Sequence, residues 1–224
     1  MASAAAAEVA AERASSDDPA ASFAYEVELN GLGPIGLEGR ARSLSRLFSE
    51  KGQAPSSRAG LNRRIQTDMA MLRRLLHAEG YYGARIRREI GRRNGKVRIV
   101  LGVEPGKRFV FARPAIGFSG DIAAAAAAHA LADLPIAPPA PARSEAILAA
   151  ERLILGRLPQ IGYPFARIAR RDVVVDHETE TVLVQMDIDA GPRIAFGSFA
   201  FEGLESIEPA LLERMAPWRQ GALY

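Results

Sequence analysis

Gly80-Tyr81-Tyr82-Gly83-Ala84-Arg85-Ile86 recurs, reworded, as Gly162-Tyr163-Pro164-Phe165-Ala166-Arg167-Ile168. Each copy follows a segment with helical apolar spacing and leads into one with strand alternation. A second marker repeats behind it, Pro105-Gly106-Lys107-Arg108 matching Ala190-Gly191-Pro192-Arg193. The first pair is offset by 82 positions and the second by 85. The difference lies in the turn between the two strands, which lengthens from Arg93-Asn94-Gly95 to Asp176-His177-Glu178-Thr179-Glu180. Two markers in the same order define a tandem unit of about 85 residues, large enough to hold a core of its own.

Working outward from the first copy, Phe23 to Asn30 alternates apolar and polar, with Tyr25, Val27 and Leu29 on one face of a strand. Leu37, Ala41, Leu44, Leu47 and Phe48 predict one helix from Ile35 to Ser49. Ser56 or Ser57 is placed to cap a second helix with the stripe Leu61, Ile65, Met69, Leu72 and Leu76. Arg63, Arg64, Arg73 and Arg74 lie opposite, and Gly80 stops the helix with a left-handed turn. A strand follows with Ala84, Ile86 and Arg88 on one face and Arg85 and Arg87 on the other; Asn94-Gly95 turns it into Val97, Ile99, Leu101 and Val103. The order is strand, helix, helix, strand, strand.

The second unit is read the same way: a strand from Arg108 to Phe118 broken in regularity by Pro114, and an Ala-rich helix from Ile122 to about Asp133 capped by Asp121. Pro135, Pro138, Pro139 and Pro141 form a stiff connector. A helix then starts at Ser144 with core candidates Ile147, Leu148, Leu155 and Leu158, ended or kinked by Pro159. A hairpin of Ala166–Val175 and Thr181–Asp189 closes the unit. A third unit begins with a strand at Ile194–Phe201 and a helix from Ile207 to about Met215 and does not finish, as in a piece of a longer protein. Residues 1–22, rich in Ala, Ser and Glu, read as a disordered leader rather than an intact secretion signal.

Hydrophobic residues make up 48% of the chain and charged ones 25%, the balance of a globular protein. No run approaches the eighteen or so apolar residues that cross a bilayer as a helix. Cysteine is absent, which excludes disulfides and thiolate chemistry without deciding the compartment. Residues 25–110 carry 18 Lys/Arg against 8 Asp/Glu, whereas 111–224 carry 10 against 14. The basic first unit fits either a contact with phosphate or lipid headgroups, or a solvated arginine-rich face.

Nothing in the residues argues for catalysis. His77, His129 and His177 share no ligand spacing, and no phosphate loop or nucleophile elbow occurs. Asp172, Asp176, Glu178 and Glu180 fit a polar hairpin tip better than a cation site, and Tyr81, Tyr82 and Tyr163 fit plugs at a helix-to-strand corner better than a binding platform.

With Gly80-Tyr81-Tyr82, Gly162-Tyr163-Pro164, the turns at Pro105-Gly106 and Ala190-Gly191-Pro192-Arg193, and the strand ends Asn30-Gly31-Leu32 and Glu202-Gly203-Leu204, the chain resembles tandem POTRA domains. These are the periplasmic modules that precede outer-membrane assembly barrels, and the wording is most similar to the TamA branch (translocation and assembly module). The resemblance implies an α+β fold, each unit a three-stranded mixed sheet covered by two antiparallel helices. It implies units at 23–107 and 108–192 and a truncated third at 193–224. It also implies a non-enzymatic scaffold in the periplasm, part of a protein anchored in the outer membrane, without cofactor. Expected partners are unfolded outer-membrane client proteins, an inner-membrane-anchored TamB-like protein, the chain's own C-terminal membrane barrel and lipid headgroups, with no nucleic acid.

The resemblance also implies that the hairpin's first strand is a sheet edge, here Gly83–Ile90 and Phe165–Val174, and an edge can accept an added strand. The candidate binding residues are Ala84, Arg85, Ile86, Arg87, Arg88, Ala166, Arg167, Ile168, Arg170 and Arg171. Two other readings stay open: a nucleic-acid binder using the basic unit, and a passive periplasmic spacer.

Overall fold

The computed structural model describes residues 23–198, 200, 208, 211 and 214–223. Strand β1 spans Tyr25–Asn30, and a 3-10 turn at Gly33–Ile35 leads to helices α1 (Glu38–Leu44), α2 (Arg46–Ser49) and α3 (Arg58–Ala78). The hairpin β2 (Arg85–Arg93) and β3 (Lys96–Glu104) follows. Next come β4 (Val110–Phe111), β5 (Ala115–Ser119), α4 (Ala124–Leu131), α5 (Ser144–Gln160), β6 (Arg167–Asp176) and β7 (Thr181–Asp189). The fold is α+β, with mixed sheets. It groups into two compact units: one of residues up to His77 with Gly83–Gly106, the other of Ala78–Tyr82 with the chain from Lys107 onward.

In the first unit β3 lies between β1, to which it is parallel, and β2, to which it is antiparallel. Alternation decides which face is covered. Tyr25, Val27 and Leu29 of β1 and Ile99, Leu101 and Val103 of β3 are buried, as are Leu61, Ile65, Leu72 and Leu76 of α3. The opposite face, with Glu28 and Arg98, is open.

The single helix expected over Ile35–Ser49 is instead a 3-10 turn and two helices broken at Ser45, whose backbone is extended at ψ 127. The break is held by Asp68 of α3, which is buried to 1% exposure and was expected on no apolar stripe. Its carboxylate accepts from the Ser45 hydroxyl, from Arg46 N at 2.9 Å and from Leu47 N at 3.1 Å. Ser45 Oγ in turn accepts from Phe48 N, so two side chains satisfy the donors at the start of α2. At the next helix the capping residue is Ser57, whose hydroxyl accepts from Gly60 N at 3.1 Å.

In the second unit β7 is central, antiparallel to β6 and parallel to both β4 and β5. The strand expected over Arg108–Phe118 is thus two short segments. Pro114, which has no N–H to give the ladder, sits in the gap between them. Val182, Val184, Met186 and Ile188 of β7 pack with Phe111, Ile136, Ile147, Ala150, Ile154 and Leu158 in one core. Leu148, expected inward, is 46% exposed, and Ile154 takes the buried position. Helix α5 continues through Pro159 to Gln160, because a proline in the last turn forfeits only one backbone bond. Asp121 does not cap α4, which starts at Ala124 with no side-chain cap; its carbonyl accepts from the Tyr163 hydroxyl instead.

Of the third repeat, Ala195 forms an isolated bridge with Leu223 and Phe196 stacks on Trp218 at 5.3 Å. No strand runs through Ile194–Ser198, and most of the expected helix lies outside the described residues.

Candidate functional site

The repeated corner is a helix stop built from glycine. Gly80 and Gly162 have φ of +91° and +93°, a region that a side chain makes costly. At the second copy Tyr163 N donates to Leu158 O and Gly162 N to Pro159 O, the paired bonds that close a helix end on a left-handed residue. Tyr163 and Tyr81 are buried, with the Arg108 guanidinium 5.5 Å from the Tyr81 ring centre. The tyrosines of the corner are therefore packing groups. Burial of the half-exposed Tyr82 pushes its phenol above the usual tyrosine range.

Residues 78–82 pack as part of the second unit. Gly80 O accepts from Phe109 N at 2.8 Å, and the Tyr82 and Phe109 rings lie 5.6 Å apart. Glu79, 6% exposed, faces Arg108 at 3.3 Å and Arg143 at 3.0 Å, and its carbonyl accepts from Arg108 Nε. Apolar-stripe reading gave no sign of this buried carboxylate.

Each corner delivers the chain into a strand with one neighbour among the described residues. Among the described residues β2 pairs with β3 alone over its full length, from Arg85 opposite Glu104 to Arg93 opposite Lys96. Among the same residues β6 pairs with β7 alone, from Arg167 opposite Asp189 to Asp176 opposite Thr181. Every second backbone N–H and C=O of such a strand points away from its sheet. Arg85, Ile86, Arg87 and Arg88 lie in β2 and Arg167, Ile168, Arg170 and Arg171 in β6; Ala84 and Ala166 immediately precede the strands. The first set belongs to the first unit and the second set to the second. In β6 the register shifts between Ile168 and Arg170, a bulge that leaves Ala169 over.

β2 is exposed on both faces apart from half-buried Ile86, and Ile90 is 50% exposed. β6 exposes Val173 and Val174, at 41% and 49%, and Phe165 just ahead of it is 66% exposed. These apolar residues were not among the sequence candidates. The signal was present: three consecutive valines, Val173-Val174-Val175, cannot all face one side of a strand.

Ion pairs differ between the edges. Arg167 meets Asp189 at 2.7 Å, Arg170 meets Asp172 at 2.6 Å, and Arg171 meets Glu151 of α5 at 2.8 Å. On β2 only Arg87 has an ion pair among the described residues, with Glu104 at 3.3 Å. On the open face of the first sheet, Arg98 grips Glu28 with two bonds of 3.0 and 2.8 Å. That hydrogen bonding holds the Glu28 carboxyl below the usual glutamate range.

Of the acidic run at the second hairpin, Asp176 is engaged by its own turn. Asp176 accepts from Glu178 N at 2.8 Å and Thr179 N at 3.2 Å, and the Thr179 side chain is the first cause of its lowered carboxyl pKa. Glu180 pairs with Lys107 at 3.0 Å. Among the described residues no three His, Asp or Glu side chains converge to hold a metal ion, and no helix is long and apolar enough to cross a membrane.

No protein-family model and no curated protein sequence matches the chain. Among solved structures it is similar to POTRA domains 3–5 of BamA from Haemophilus influenzae, at 18% identity and a TM-score of 0.42 over 91% of this chain and 80% of that one. It is similar to POTRA domains 1–2 of the periplasmic domain of Omp85 from Anabaena, at 15% identity and 0.39 over 75% and 93%. The N-terminal domain of Omp85 from Thermosynechococcus elongatus gives 15% identity and 0.39 over 89% and 77%.

Proposed function

We propose that this chain is a non-enzymatic scaffold of outer-membrane protein assembly that holds client or partner chains by adding their extended segments to β2 and β6. The observation that carries the reading is that, among the described residues, the strand after each repeated corner has one strand neighbour and no partner along its other edge. The POTRA-like wording of the corners and turns, with repeat boundaries at 23–107 and 108–192, supports a periplasmic setting within the TamA branch. There a TamB-like protein and unfolded barrel precursors are the partners. Six backbone bonds of about 0.5–1.5 kcal/mol each, less the ordering of the incoming strand, give weak and sequence-tolerant binding. Such binding suits passing a chain onward.

Proline scanning in adjacent pairs tests this. On an edge strand one of two consecutive N–H groups points to the sheet and the other away. Of Arg87→Pro and Arg88→Pro, one variant unfolds more easily and the other keeps its melting temperature while losing client binding. Val173→Pro and Val174→Pro behave alike on β6. If both folded variants bind clients as the parent does, strand addition is wrong and a passive spacer is the better reading.

A further inference from the structure

Resting on the strand-addition reading, we infer that the two edges select different segments: β2 takes an acidic extended polypeptide, and β6 an uncharged one of β-branched and apolar residues. The observation is the fate of the arginines. β2 holds five, Arg85, Arg87, Arg88, Arg92 and Arg93, against the single carboxylate of Glu89. Four of the five are exposed and without an ion-pair partner among the described residues.

Alternation puts Arg85, Arg87 and Arg93 on the helix-free face and Arg88 and Arg92 on the other. A strand laid along β2 therefore meets cations on both of its faces. A bilayer surface meets one face of a strand, and β2 has no aromatic ring on which a base could stack. An acidic polypeptide is the occupant that uses both rows of charge together with the open backbone. On β6 all three arginines are closed by carboxylates of their own unit, and Val173 and Val174 face opposite sides of the strand. What that edge offers beyond backbone is apolar.

The test uses the whole chain, isotope-labelled for amide NMR, and two synthetic peptides of about ten residues, the length of a strand. Both alternate Val and Thr; one carries Glu where the other carries Gln. The Glu peptide shifts the amides of Arg85–Arg93 and binds there about tenfold more tightly at low salt, a gain that fades as salt screens it. The Gln peptide shifts the amides of Arg167–Asp176 at least as strongly as the Glu peptide does. A chain with Arg88→Gln, Arg92→Gln and Arg93→Gln loses the tenfold preference at β2. The same three positions changed to Lys keep it, which separates charge from damage to the strand.

Equal binding of both peptides at β2 overturns the charge selectivity and leaves strand addition standing. No shift of β2 or β6 amides by either peptide sinks strand addition itself. Binding of phosphatidylglycerol vesicles or of a single-stranded oligonucleotide that the Glu peptide fails to displace also overturns the inference, in favour of a lipid or nucleic-acid contact.

Discussion

Asp68 sits at 1% exposure in the middle of a helix and accepts three hydrogen bonds from the start of another. A buried carboxylate is stable only when every donor it faces is used, and here the donors would themselves be orphaned without it. Asp68→Ala is expected to destabilise the first unit by about 2–4 kcal/mol, read as a shift of its urea midpoint. Asp68→Asn keeps one oxygen and costs less. Gly31 carries a different constraint: φ is +91°, and a Cβ there would lie 1.9 Å from Val103 O. Gly31→Ala forces β1 away from β3 and is expected to cost about 3 kcal/mol or more. Residues of this kind mark what a one-dimensional reading recovers. Gly80 and Gly162 were legible because a helix stop announces itself by glycine after an apolar stripe. Asp68 and Glu79 were not, because their partners lie 21–23 and 29–64 positions away and polar residues are assigned to the outer face by default.

Among the elements, strand periodicity was the more readable signal. β1, β3 and β7 alternate strictly because one face of each is buried, and their inward residues were named in advance by period alone. Edges are harder to read. β2 and β6 expose both faces, so alternation carries little information, and the exposed valines of β6 passed unnoticed. The open face of the first sheet offers a pH test. Arg98 lowers the Glu28 pKa in the folded chain, so the pair contributes stability above the ordinary glutamate pKa, and that contribution is lost as pH falls below it. Glu28→Gln removes the titrating group. The acid side of its melting-temperature curve, below about pH 4.5, should be flatter than the parent's, with the difference vanishing in high salt.

For the whole molecule, the two units repeat a topology without repeating its details: the same glycine conformation at each corner, but two short helices lead to the long helix of the first unit, and one helix and a proline-rich connector to that of the second. Glu79 is a test of how the chain is partitioned. Glu79→Ala leaves Arg108 and Arg143 without their shared carboxylate and is expected to cost about 1–2 kcal/mol. Hydrogen exchange should report the loss at the β7 amides of the second unit and leave those of β3 unchanged.

The same corner decides where this chain can be cut. By sequence the repeat begins near residue 108, and a gene segment starting there looks like a module ready for transplantation. Yet Ala78–Tyr82 belong to the second unit's packing, including the carbonyl that receives Phe109 N and the carboxylate between two arginines. A piece started at 108 lacks them. The stretch that repeats and the stretch that folds are offset, so recombination at the repeat boundary yields a protein missing part of its own floor.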